Sequence, residues 1–138
     1  MVAKSEPVTV RLSAELDRWV SAEAKRTQHP KGTVVASLAG EALKARLFPG
    51  IAFRGDDWDR RAWVMGTSFD VWEVVRSFQD AGSVQAVASG GSLTEAQVRV
   101  ALAYYQRFGE EIDALIERDR RGLDELVADY PTIEVLRA

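Results

Sequence analysis

Hydrophobic and polar positions repeat with two periods along the chain, and the switches between them mark its elements. Val8, Val10 and Leu12 alternate with Pro7, Thr9 and Arg11. That period of two predicts a half-buried strand over 7–12, with Pro7 tolerated at its start. From Ser13 the period lengthens: Leu16, Trp19, Val20 and Ala24 share one helical face, which makes Trp19 a core residue. Ser13 suits an N-cap, and Glu15 and Asp17 put negative charge at the positive end of the helix dipole, so a helix is predicted over 14–27. His29-Pro30-Lys31-Gly32 breaks it, with His29 read as an exposed turn residue. Val35, Leu38, Ala39, Ala42 and Leu43 mark a second amphipathic helix to about Leu47, ended by Pro49-Gly50.

The pattern then returns to strands. IAFR and RAWVMG flank the polar tip GDDWD, which predicts a hairpin over 51–66. Ser68 or Asp70 can cap a helix holding Val71, Val74, Val75 and Phe78 and stopping near Gly82. Ser83 caps a short helix with Val84, Val87 and Ala88, ended by Gly90-Gly91. Thr94-Glu95-Ala96-Gln97 has the spacing of a capping box and opens a helix with Val98, Ala101, Leu102 and Tyr105 on its apolar face. Gly109 interrupts it. A last helix resumes at Glu110 through Ile112, Leu115, Ile116, Leu123, Leu126 and Val127, weakened at Gly122, before the tail DYPTIEVLRA. The fold class expected is mainly α with short β elements.

Charge changes this picture more than composition does. The net −3 of the chain splits into +3 over 1–48, −2 over 49–93 and −4 over 94–138. That polarity suits a head that meets phosphates and a tail that meets something else. The absence of cysteine removes thiolate metal sites, disulfides and cysteine nucleophiles, and it fits a cytoplasmic protein. No signal-peptide pattern and no long apolar run are present, so no membrane is expected. His29 is the single histidine, which excludes any mechanism needing two. No glycine-rich phosphate loop follows a strand, and Glu110 and Glu111, adjacent on a helix, point apart. No enzyme activity, cofactor or metal is expected. Asp56, Asp57 and Asp59 read as turn residues rather than as a metal cluster.

The first 48 residues hold one short strand and two amphipathic helices. Such a unit buries too little apolar area to stand alone, and a lone strand leaves its backbone groups unpaired. A two-fold homodimer through residues 7–47 meets both needs, strand against strand over a shared four-helix core. A two-stranded ribbon fits the DNA major groove. Its outward side chains are Thr9 and Arg11, with Pro7 or Lys4 at the margin. Arg11 suits a guanine edge, while Thr9 suits a hydrogen bond or a thymine methyl. Lys31, Gly32 and Thr33 open the second helix, where free amides and the dipole favour phosphate; the bland alternative is a plain inter-helix turn.

VTVRLSAELDRWVSAEAKRTQHPKGTVVASLAGEAL resembles a ribbon-helix-helix domain of the CopG/Arc type. The resemblance implies Thr9 and Arg11 as strand readers and Lys31, Gly32 and Thr33 as phosphate anchors. The chain departs from the family at His29-Pro30-Lys31-Gly32, where a Ser/Thr-capped turn is usual. Phe48-Pro49-Gly50-Ile51, Gly66-Thr67 with Asp70 to Val75, and Leu93-Thr94 with Gln97-Val98, Ala101-Leu102 and Tyr105 resemble a bacterial domain found in VapB-type antitoxins. Such domains resemble a winged helix-turn-helix. Together the resemblances imply an antitoxin of a type II toxin–antitoxin system. It would bind operator DNA as a dimer and neutralise a partner toxin, most often a PIN-type ribonuclease. A stand-alone repressor without a toxin is the alternative.

Three segments follow from this reading: a ribbon-helix-helix over 1–48, a hairpin with a helix-turn-helix-like domain over 49–109, and a partner-binding helix and tail over 110–138. Gln97, Arg99 and Arg107 could line a second DNA-reading helix, against the acidic balance of their segment. Trp63 and Trp72 read as core, and Trp58 at the hairpin tip reads as a contact residue. Arg118-Asp119-Arg120-Arg121 reads as a solvated helix face or a partner contact.

Overall fold

The computed structural model describes residues 5–57 and 59–132. Lys4 and Trp58, both singled out above, lie outside them, as does the tail from 133. The described chain is mainly helical with one short antiparallel pair of strands. It divides into two compact units between Gly40 and Glu41.

The first unit begins with an irregular segment. Residues 5–13 form neither helix nor strand, so the strand expected over 7–12 does not form within one chain. The physical reason is the lack of a partner: among the described residues the one sheet has two strands, both in the second unit. Helix α1 (Ala14–Thr27) starts where Ser13 Oγ accepts the Leu16 amide at 3.2 Å. It ends on Gln28, whose φ of 57° is a left-handed conformation that glycine or asparagine adopts more readily. His29 is half-buried rather than exposed, and its amide donates to Ala24 O at 3.1 Å. Helix α2 (Lys31–Leu47) opens with the Val34 amide donating to Pro30 O. Trp19 is 62% exposed, not core, and among the described residues of this unit only Val20 and Val34 are buried.

The division falls inside α2, not after residue 48, because the last turns of α2 belong to the second unit. There Glu41 accepts from Arg60 Nε at 2.7 Å, and Lys44 donates to Glu111 at 3.1 Å. Strands β1 (Ile51–Arg54) and β2 (Arg61–Val64) pair with Ile51 opposite Val64 and Arg54 opposite Arg61. Alternation turns Ile51, Phe53, Ala62 and Val64 to the core. The other face carries Ala52, Arg54, Arg61 and Trp63.

Helix α3 (Val71–Ala81) is capped by Asp70, whose amide donates to Glu73 at 3.0 Å, and is closed by Gly82 at φ 83°. Helix α4 (Val84–Ala88) starts at Ser83. Helix α5 (Glu95–Arg107) starts at the reciprocal Thr94–Gln97 box, with bonds of 2.9 and 3.1 Å. Helix α6 (Gly109–Asp129) runs through Gly122 unbroken. The segment from 110 is therefore no separate module: Ile112 is buried, and Leu115 and Ile116 pack on the same core as Val71, Val74, Val75, Val98, Ala101 and Tyr104. Among the described residues no helix is long and apolar enough to cross a membrane.

Candidate nucleic-acid interface

Each unit presents polar side chains in its own way. In the first, Thr9 and Arg11 are exposed on the irregular N-terminal segment. Lys31, Gly32 and Thr33 form the first turn of α2, all three exposed, and that turn carries no acidic residue. A Cβ on Gly32 would meet nothing within 4 Å, so the turn is open beside Gly32. A helix start without an acidic residue favours anions through its dipole. Among the described residues no hydrogen bond or ion pair joins Thr9 or Arg11 to Lys31, Gly32 or Thr33; the fold presents these as two separate patches.

Sequence reasoning does not foresee the partner of Lys31. Its ammonium forms an ion pair with Asp17 of α1, both side chains about half-exposed. By its position in the first turn of α1, Asp17 has only a role in the helix dipole. The two residues are 14 positions apart on different helices, so no local spacing signals the pairing.

Apolar exposure is the other feature of this region. Val8 is 80% exposed and Val10 62%, and Leu16, Trp19, Leu38, Leu43 and Leu47 are each exposed by two-fifths or more. These are the inward residues of the predicted strand together with apolar positions of α1 and α2.

In the second unit the notable cluster is ionic. Asp70 is buried, with one carboxylate oxygen accepting from Arg54 Nε at 2.8 Å and the other from Arg61 Nε at 2.8 Å. Trp72 Nε1 donates to the same carboxylate at 3.3 Å. Arg54 and Arg61 are cross-strand neighbours, a pairing that is repulsive without an acid between them. Arg61 also bonds Asp59 at 2.7 Å, and Arg118 of α6 bonds Asp59 at 3.0 Å. The hydrogen bond from Arg118, with help from Arg61, holds the Asp59 carboxyl below its ordinary range. Asp59 is thus engaged by two guanidiniums. The network ties the hairpin to α3 and α6.

A second cluster joins Tyr104, Glu111 and Lys44. The Tyr104 hydroxyl donates to Glu111, which also accepts from Lys44. Burial, and then the hydrogen bond to Glu111, pushes the Tyr104 phenol well above its ordinary 10.0. Lys44 Nζ lies 4.5 Å from the centre of the Phe108 ring. In both clusters the central group, Asp70 or Tyr104, is buried and engaged by its neighbours, which makes the clusters structural ties.

The proposed second reading helix is less free than its sequence suggests. Gln97 is used in the capping box, and Arg99 pairs with Glu95 at 3.1 Å. Arg107 lies on the rim of a shallow groove with Glu110, Glu111 and Asp113. Most of the Arg118–Arg121 stretch is likewise spoken for: Arg118 by Asp59, Asp119 by Arg76 and Arg120 by Glu117. Among the described residues no cluster of three metal-ligating side chains occurs. Comparison with protein-family models, with characterised proteins and with solved structures finds no match.

Proposed function

We infer that the chain is a dimeric DNA-binding protein whose head, residues 7–47, is a ribbon-helix-helix. The observation that carries this reading is the exposure of Val8 and Val10, on a segment patterned as a strand yet unpaired with any described strand. A second copy would supply the missing strand, cover Leu16, Trp19 and Leu38, and leave Thr9 and Arg11 facing a major groove. Lys31, Gly32 and Thr33 would then hold phosphates on either side, and Lys4 would extend the ribbon's reach. The second unit, a hairpin packed on α3 with α4 and α5 beside it, is read as winged helix-turn-helix-like.

The wider role proposed is that of an antitoxin acting in the cytoplasm, repressing its own operator and blocking a toxin, with a PIN-type ribonuclease the first candidate. The part of α6 available to a toxin is narrower than the sequence suggests. Its first half is built into the second unit, which leaves Leu123, Leu126, Val127 and Tyr130 toward the end. A stand-alone repressor needs no such surface.

Sedimentation of the purified chain tests the dimer, and a Val10→Asp variant is expected to be monomeric. Fluorescence anisotropy tests the DNA reading. Arg11→Ala is expected to weaken operator binding by about 1–3 kcal/mol while sparing the dimer. Equal affinity of wild type and variant for operator over random duplex refutes the assignment of Arg11. Co-purification with the product of the adjacent reading frame separates antitoxin from repressor.

A further inference from the structure

Lys31 is offered above as a phosphate anchor, yet in the free chain its ammonium is already neutralised by Asp17, a residue 14 positions earlier on the neighbouring helix. We propose that Asp17 is a built-in competitor for the phosphate site: Lys31 must leave it to reach the nucleic-acid backbone. This deepens the DNA-binding reading and rests on it.

The chemistry of the exchange is one anion for another. A carboxylate and a phosphodiester oxygen both accept charge-assisted hydrogen bonds from an ammonium. The side chains of Lys31 and Asp17 are 49% and 47% exposed, so the pair is solvent-screened and weak enough to open. The pair therefore lowers affinity by occupying the cation, which must give up one anion to reach another. Every duplex must draw the same ammonium away from Asp17, so the pair lowers affinity for operator and random DNA alike, and Asp17 acts without touching either.

The test is anisotropy with a fluorescein-labelled duplex of mixed sequence, using the full chain and variants whose helicity is checked by circular dichroism. Asp17→Asn is expected to tighten binding by about two- to fivefold per protomer, the range for releasing an exposed ion pair. The gain should largely vanish in a Lys31→Ala background. Glu15→Gln, which removes the neighbouring acid, should give a smaller gain that persists in that background. The dependence of affinity on salt should keep its slope in Asp17→Asn, because the same number of phosphates is neutralised. Lys31→Ala should flatten the slope by about 0.9 for each phosphate left without its cation. An Asp17→Asn gain that survives removal of Lys31, or that only equals that of Glu15→Gln, overturns the proposal in favour of a general field effect. No gain at all overturns it too. A wild-type chain with no salt-dependent affinity for duplex instead removes the DNA-binding reading itself.

Discussion

Replacing Asp70 by alanine is expected to be the most damaging single change to the second unit. The carboxylate side chain is 5% exposed and accepts three hydrogen bonds, two of them from guanidiniums at 2.8 Å. Removing one partner from a buried ionic cluster costs about 3–5 kcal/mol. Here the arginines are 38% and 26% exposed, so once freed they turn partly to water. That relief sets the loss at about 3 kcal/mol, the low end of the range. For a unit of this size the unfolding midpoint falls by roughly 10 °C or more. Asp70→Asn keeps the shape and one carbonyl acceptor and should lose about half as much. Urea titrations followed by circular dichroism measure both. A further variant separates charge from capping. With Arg54 and Arg61 both changed to glutamine, the Asp70→Ala substitution should cost less, because no like charges then face each other across the strands. A loss below about 1 kcal/mol for Asp70→Ala would contradict the reasoning. So would a loss as large in the glutamine background as in wild type.

Three other outcomes are expected. Gly122 lies in the interior of α6 with nothing within 4 Å of a Cβ, so Gly122→Ala should stabilise the fold by about 0.5–1 kcal/mol in the same titrations. The Tyr104 phenol is raised above its unfolded value, so its contribution is complete below about pH 10 and is lost as pH climbs beyond it. Stability should therefore fall from about pH 10 upward, and Tyr104→Phe should flatten that fall in urea titrations repeated along the pH series. Arg118→Ala should let the depressed Asp59 carboxyl rise toward its ordinary 3.8, which carbon-detected titration by NMR reads directly.

Local signals were legible where the chain satisfies itself. Ser13, Asp70, Ser83 and the Thr94–Gln97 box cap the helices they were expected to cap, and the hairpin forms within the expected 51–66. What stayed hidden depends on residues far apart in sequence. Asp70 reads as one of two possible caps, but its second role requires Arg54 and Arg61 to arrive from two strands at once. Glu111 reads as half of an ordinary acidic pair until α6 brings it beside Tyr104 and Lys44. Gly122 carries a low helix propensity and so weakens α6 locally, yet packing of Leu115 and Ile116 on the core carries the helix past it. For Thr9, Arg11 and Lys31 the sequence supplies chemical type and spacing, and the structure adds exposure and the Asp17 pairing.

Trp19 is the most informative disagreement between pattern and fold. Its place beside Leu16 and Val20 marks it for a core, and a large aromatic ring left 62% exposed forgoes much of the benefit of its size. The second unit buries a set of apolar residues drawn from both strands and three of its helices, whereas among the described residues of the first only Val20 and Val34 are buried. A helical pair with so little core does not offset the conformational entropy of its own ordering. The sequence nevertheless invests Val8, Val10, Leu16, Trp19 and Leu38 in this region, residues whose periodicity makes sense only against a surface. On the dimer proposed above, two-fold pairing would supply that surface from the same residues. It would also convert the irregular segment 5–13 into a strand with its hydrogen bonds met. The head would then be a half-structure whose stability depends on protein concentration, which a dilution series of thermal melts measures.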